Sequence, residues 1–158
     1  MNKNLDDCKK EILNDISRTI SFRLCSIGVD LGLFEDLSIN GPSTSKEIAL
    51  RKKYNERYVR EWLYGISKTG YIYFDKKTRK ASISNDYSEL FISEGGKNSF
   101  KGFFKVINNM LLPYENLISS FKNGGGIKFE EYNDEFWKGL DLTGCSRYRS
   151  FLVPEWIN

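Results

Sequence analysis

Histidine is absent from all 158 residues. Without an imidazole, a Ser-His-Asp triad, a Cys-His dyad and any histidine-containing metal site are excluded within this chain. Cysteine is scarce. Cys8, Cys25 and Cys145 are odd in number, far apart and nowhere spaced Cys-x-x-Cys, so neither a zinc ribbon nor a disulfide framework is indicated. A reducing, cytoplasmic setting is the expectation. The opening MNKNLDDCKKEILNDI is charged and has no apolar signal-peptide core. No run of about 18 apolar residues is present, so no membrane span is expected. A strong excess of one charge is lacking too. The formal net charge of +3 permits nucleic-acid binding but does not argue for it. Adjacent carboxylates such as Asp6-Asp7 and Glu130-Glu131 point about 100° apart on a helix and do not converge on one atom. Cys145 has no histidine to activate it. No catalytic residue and no metal site are expected.

What is present is apolar and aromatic. Hydrophobic residues reach 40% and aromatics 15%, enough for a folded core at this length. Leu5, Cys8, Ile12, Ile16, Ile20, Leu24, Ile27 and Leu31 recur every three or four residues and predict a long amphipathic helix facing a core or a partner. Leu33 to Leu37 reads as a short apolar turn, and Asn40-Gly41-Pro42 as a loop. Thr44 and Glu47 form a capping-box pattern that opens a short helix through about Lys52, burying Ile48 and Ala49. Asn55 is a plausible cap for a second helix ending at Gly70. That helix has an apolar face of Val59, Trp62, Leu63 and Ile66 and an outer face of Arg57, Arg60, Glu61, Tyr64 and Lys68. Residues 71–74 and 81–84 alternate as two strands about a polar turn.

Helix, short helix, turn, helix and hairpin in that order predict a winged helix-turn-helix. The expected fold is mainly α, with a small β-hairpin wing and appended C-terminal helices. The expected division is 1–85 for the winged-helix domain and 86–158 for a helical lid or connector. In the second part, Asp86 to Phe91 reads as a short helix broken at Gly95-Gly96. Phe100, Phe103, Phe104, Ile107 and Leu111 form a wide stripe, continued by Tyr114, Leu117, Ile118 and Phe121. Gly124-Gly125-Gly126 marks a loop, with a hinge as the alternative. Phe136, Trp137 and Leu140 suggest another helix, and Tyr148, Phe151, Leu152 and Trp156 a last one near Pro154. The apolar ending after Trp156 is read as a chain that continues in its natural setting.

Several local patterns resemble the N-terminal region of class I S-adenosylmethionine-dependent methyltransferases. They are Leu31-Gly32-Leu33-Phe34-Glu35-Asp36-Leu37, then Asn55-Glu56-Arg57-Tyr58-Val59-Arg60-Glu61-Trp62-Leu63 followed by Thr69-Gly70-Tyr71-Ile72. Next come Gly124-Gly125-Gly126-Ile127 with Tyr132, and Arg147-Tyr148-Arg149 leading into Leu152-Val153-Pro154-Glu155-Trp156. The resemblance implies a dimerisation-type winged helix and a substrate-capping lid, leading to a Rossmann-like cofactor domain absent from this chain. It implies a homodimer, a small-molecule substrate, and S-adenosylmethionine for the full-length family member. GxGxG occurs nowhere, so this chain alone is expected to bind no cofactor and to be inactive.

The pocket or lid candidates are Gly124, Gly125, Gly126, Phe129, Tyr132, Trp137 and Tyr148. For the glycines, the plainer reading is a helix stop. For the aromatics it is a helical core or a surface covered by the missing domain. The competing function is a DNA-binding regulator that would use Arg57, Arg60, Lys68, Lys76, Lys77, Arg79 and Lys80 on phosphates. Against it, Glu56 and Glu61 share the helix, and Arg57 is spaced to pair with Glu61.

Overall fold

The computed structural model describes residues 4–94 and 96–148. The chain divides into two compact units, the first ending at Ile83 and the second beginning at Ser84.

The first unit opens with α1 (Leu5–Asp30), whose N-cap Asn4 accepts a hydrogen bond from the Asp7 amide at 2.9 Å. Leu33 to Asn40 is a two-turn helix, α2, where the sequence suggested only an apolar turn. Its Leu33, Phe34 and Leu37 are all buried, and this burial stabilises a helix too short to persist alone. Then comes α3 (Ser45–Lys52), started by the expected capping box. The Glu47 amide donates to Thr44 Oγ1 at 3.3 Å, and the Thr44 amide donates to Glu47 Oε2 at 2.7 Å. Asn55 caps α4 (Glu56–Ser67), which closes on Lys68, short of the expected Gly70. The wing is β1 (Ile72–Asp75) and β2 (Lys80–Ile83), antiparallel with Ile72 opposite Ile83. Ser43 adds a bridge to Ala81.

The core sits where these elements meet. Phe34, Leu33, Leu37, Ile48, Leu63 and Ile66 are fully buried, each side chain contributing roughly 1.5–3 kcal/mol by leaving water. Trp62 lies edge-on to Phe34 at 5.1 Å, and its Nε1 donates to the Leu24 carbonyl at 2.8 Å, tying α4 to α1. One buried charge is neutralised inside this unit. Asp36 accepts from Arg51 Nε at 3.0 Å and Nη2 at 2.6 Å, and Nη2 also reaches Ser43 Oγ at 2.8 Å.

The second unit contains α5 (Asn85–Ile92), α6 (Lys101–Met110), α7 (Tyr114–Asn123), a 3-10 turn (Phe129–Glu131) and α8 (Asp134–Arg147). Pro113 separates α6 from α7, so the long aromatic stripe belongs to two helices. That stripe is not a buried core. Phe100, Phe103, Leu111, Tyr114, Leu117 and Phe121 are exposed, and no residue of α7 is buried. The packed seam is α6 on α8. A Cβ on Gly102 would lie 2.7 Å from the Thr143 amide nitrogen, and one on Gly139 would lie 2.8 Å from that of Val106. Only glycine allows the two backbones so close. The expected last helix, with Phe151, Leu152, Pro154 and Trp156, lies outside the described residues, as do Arg149 and Gly95.

Across the α6–α8 seam, Lys105 Nζ donates to Glu135 Oε2 at 2.6 Å, while Lys138 reaches Oε1 at 2.7 Å. The two ammonium groups, Lys105 first, hold the Glu135 carboxyl down at about 2. A depressed folded value means stability that is fully present above the unfolded value near 4.5 and is lost as pH falls toward about 2. Glu135→Gln is therefore expected to lose stability at pH 6 and to match the parent near pH 2. The measurement is urea unfolding across that range. A difference that stays constant with pH would remove the carboxylate from this role.

Candidate functional site

Three surfaces carry the chemistry expected from the sequence. The first is α1. Its C-terminal end is built in, with Cys25, Ser26, Gly28 and Val29 buried. Most of the predicted apolar stripe faces water, Cys8 and Leu24 being half-buried. Ile12 is 61% exposed, Ile16 51% and Ile20 56%, and Leu5, Leu13 and Ile27 are exposed as well. The exposed part of the stripe is therefore left unburied by the other helices of the first unit. A helix without tertiary packing on its apolar face is marginal in water.

The second surface belongs to the late aromatics. Phe129 and Trp137 stand 5.9 Å apart, Trp137 meets Phe136 edge-on at 5.3 Å, and Phe136 stacks on Tyr132 at 4.4 Å. Three candidates, Phe129, Tyr132 and Trp137, thus join through Phe136, which is the buried member. Tyr148 does not join them. It caps the far end of α8, eleven residues from Trp137 and about 16 Å along the axis. Gly124, Gly125 and Gly126 follow α7 with φ of 76°, 97° and 71°, all exposed with open space around them. A left-handed triplet of this kind suits glycine alone, and it ends α7.

The third surface is basic. The structure sorts the seven cations singled out by the sequence. Arg60 pairs with Glu56 at 2.9 Å and lies 4.0 Å from Glu61, so Glu61 is met by Arg60 where the spacing suggested Arg57. Lys80 lies 4.0 Å from Glu47. Arg57 and Lys77 are exposed on the first turn of α4 and at the hairpin tip. Lys68, Lys76 and Arg79 line one cleft together with Tyr64, Ser67 and Phe74. Those last three were not singled out as a site from the sequence. The signal was present in part, since Tyr64, Ser67 and Lys68 share a helix face at i, i+3 and i+4.

None of the cysteines is set up for nucleophilic work. All three are free, and burial pushes the Cys25 thiol up to about 12. Among the described residues no cluster of His, Cys, Asp or Glu could hold a metal ion, and no helix is long and apolar enough to cross a membrane.

The order α1 to α4 followed by a two-stranded wing defines a winged helix-turn-helix, and the other elements among the described residues are helical. Residues 20–92 match the family model of the Rv2258c-like winged HTH domain. No curated protein sequence matches the chain. Its fold is shared with solved structures that include methyltransferases. The mitomycin 7-O-methyltransferase MmcR is 18% identical, with a TM-score of 0.64 over 94% of this chain and 46% of that one. PigF, solved with SAH, is 14% identical with a TM-score of 0.69 over 94% and 48%. The N,N-8-amino-8-demethyl-D-riboflavin dimethyltransferase RosA from Streptomyces davawensis is 15% identical, with 0.65 over 96% and 48%. The chain thus spans just under half the length of these matched structures.

A cofactor site of the Rossmann-like class needs a parallel sheet edge and a glycine loop opening a helix. Among the described residues the only sheet is one antiparallel hairpin, and the triple glycine closes α7 rather than opening a helix. The described residues do not form a site of that class.

Proposed function

We propose that this chain is the N-terminal dimerisation and substrate-capping region of an S-adenosylmethionine-dependent methyltransferase acting on a small molecule. The observation that carries the reading is the shared fold over more than nine-tenths of the chain with about half of each matched methyltransferase. The cofactor and its chemistry belong to the remaining half of such an enzyme. This chain's part is mechanical. The rings of Phe129, Tyr132 and Trp137, joined through Phe136 and tilted against one another, offer an apolar aromatic wall against which an acceptor can rest, and the glycine triplet lets the preceding helix change its angle. Closing such a wall excludes water and orients the acceptor.

The α1 stripe is the dimerisation surface, and its occupant is a second copy of α1. Charge supports an antiparallel pair. Asp6, Asp7, Glu11 and Asp15 outnumber Lys9 and Lys10 in the first half of the helix, and Arg18 and Arg23 outnumber Asp30 in the second. A two-fold axis sets the acidic half of one copy against the basic half of the other. Light scattering of the purified chain is expected to give twice 18.4 kDa. Ile16→Lys with Ile20→Lys is expected to give the single mass while the winged-helix core keeps its thermal unfolding, because both side chains are exposed. A parent that runs as a monomer at tens of micromolar, or a variant that stays dimeric, would overturn the dimerisation surface.

A further inference from the structure

The cleft between the last turn of α4 and the wing has a composition that the capping role does not use. It encloses about 290 Å³ and is lined by Tyr64, Ser67, Lys68, Phe74, Lys76 and Arg79, with no carboxylate among them. Its apolar side is two rings, Tyr64 and Phe74, edge-to-face at 5.3 Å. The Arg79 guanidinium stands over the Tyr64 ring at 5.8 Å and donates to its hydroxyl oxygen. Arg79 holds its backbone at φ 57°, a turn position that ordinarily favours glycine or asparagine. Among the described residues, neither Lys68 nor Lys76 pairs with a carboxylate. The nearest acid in sequence is turned away. Asp75 accepts from the Lys77 amide and from Thr78 Oγ1, both at 2.8 Å, inside the hairpin turn.

Three cations beside two rings recognise an anion carried on a planar body. The volume lies just under the usual range for small-molecule clefts, so the ligand is a small one. We propose that this cleft binds a nucleoside monophosphate unit, its phosphate on Lys68, Lys76 and Arg79 and its base against Phe74 and Tyr64. The unit can be a free nucleotide or one residue of a single strand, since both present the same phosphate and base. The cleft shares no residue with the α1 stripe or with the late aromatics, and its test does not depend on either.

The 158-residue chain is titrated with adenosine 5′-monophosphate at low salt by calorimetry. Binding in the sub-millimolar range is expected, with adenosine at least about tenfold weaker and affinity falling as salt rises. Lys68→Gln with Lys76→Gln is expected to weaken the nucleotide at least about tenfold while thermal unfolding is unchanged. Arg57→Gln, outside the cleft, is expected to change nothing. A 12-nucleotide single strand that binds more tightly than the mononucleotide, and loses that binding in the same double variant, identifies a nucleic-acid strand as the source. Equal or weaker binding of the strand identifies the free nucleotide. No binding at about 5 mM nucleotide, equal binding of adenosine, or an unaffected double variant would overturn the proposal.

Discussion

Replacing Trp62 by Ala is expected to destabilise the winged-helix unit by about 4 kcal/mol. The side chain is almost wholly buried between α1 and α4, and three separate losses fall on one substitution. The indole body leaves a cavity against Phe34, whose ring it meets edge-on. The Nε1 hydrogen bond to the Leu24 carbonyl disappears, leaving that carbonyl only its own bond in the α1 ladder. The ring also lies under Gly28, where an added Cβ would come within 2.4 Å of Trp62 Cζ2, so α1 and α4 are spaced to fit this residue closely. A domain of this size is stable by roughly 5–15 kcal/mol, so the loss is a large share of the whole. Urea unfolding followed by tryptophan-independent circular dichroism reads it. Trp62→Phe, which keeps most of the volume and loses the donor, is expected to cost less than half as much. Equal losses in the two variants would mean the hydrogen bond, and not the packing, dominates.

The second large effect is expected at Arg51. Arg51→Met keeps most of the stem and removes the guanidinium, leaving the Asp36 carboxylate buried beside α3 with only Asn40 and no cation. Breaking one partner of a buried pair costs about 3–5 kcal/mol. Arg51 is itself about a third exposed, so about 3 kcal/mol is the expected loss by urea unfolding. Asp36→Asn in the same background should recover part of it, since the neutral amide no longer needs a cation. A double variant no more stable than Arg51→Met would show that the lost term is the link to Ser43 and the hairpin rather than the uncompensated charge.

Those two residues also mark how far the sequence could be read. The winged-helix order was legible because its signals are local. A capping box at Thr44 and Glu47, an asparagine cap at Asn55 and two alternating runs around a polar turn each act within a few residues. The buried face of α4 followed from its period, and Val59, Trp62, Leu63 and Ile66 are all buried. What did not follow were contacts made across the fold. Asp36 reads as a surface acid until Arg51, fifteen residues on, folds against it. Leu33 to Asn40 carries too little periodicity to predict a helix, and tertiary burial decides its state. Apolar periodicity also gives an amphipathic face without saying what covers it. The stripes of α1 and α6 were found by spacing, yet Ile16, Ile20, Phe100 and Phe103 face water in this chain. For the candidate sites, the late aromatics were named individually, but the linking role of Phe136 needed coordinates. The seven cations were named together, and only the positions of Glu47, Glu56 and Glu61 separate those already paired from those lining the cleft.

The central claim is that this chain works as one part of a methyltransferase whose cofactor half lies elsewhere in the same polypeptide. The most direct measurement is the coding sequence that follows the Asn158 codon in the source genome. From the uncovered portions of the matched structures, an open frame of about 160 further codons is expected, opening soon into a strand, a Gly-x-Gly-x-Gly loop and a helix. A stop codon directly after Asn158, in the natural gene, would contradict the account and leave a winged-helix protein whose exposed α1 stripe and basic cleft must be explained without an enzyme.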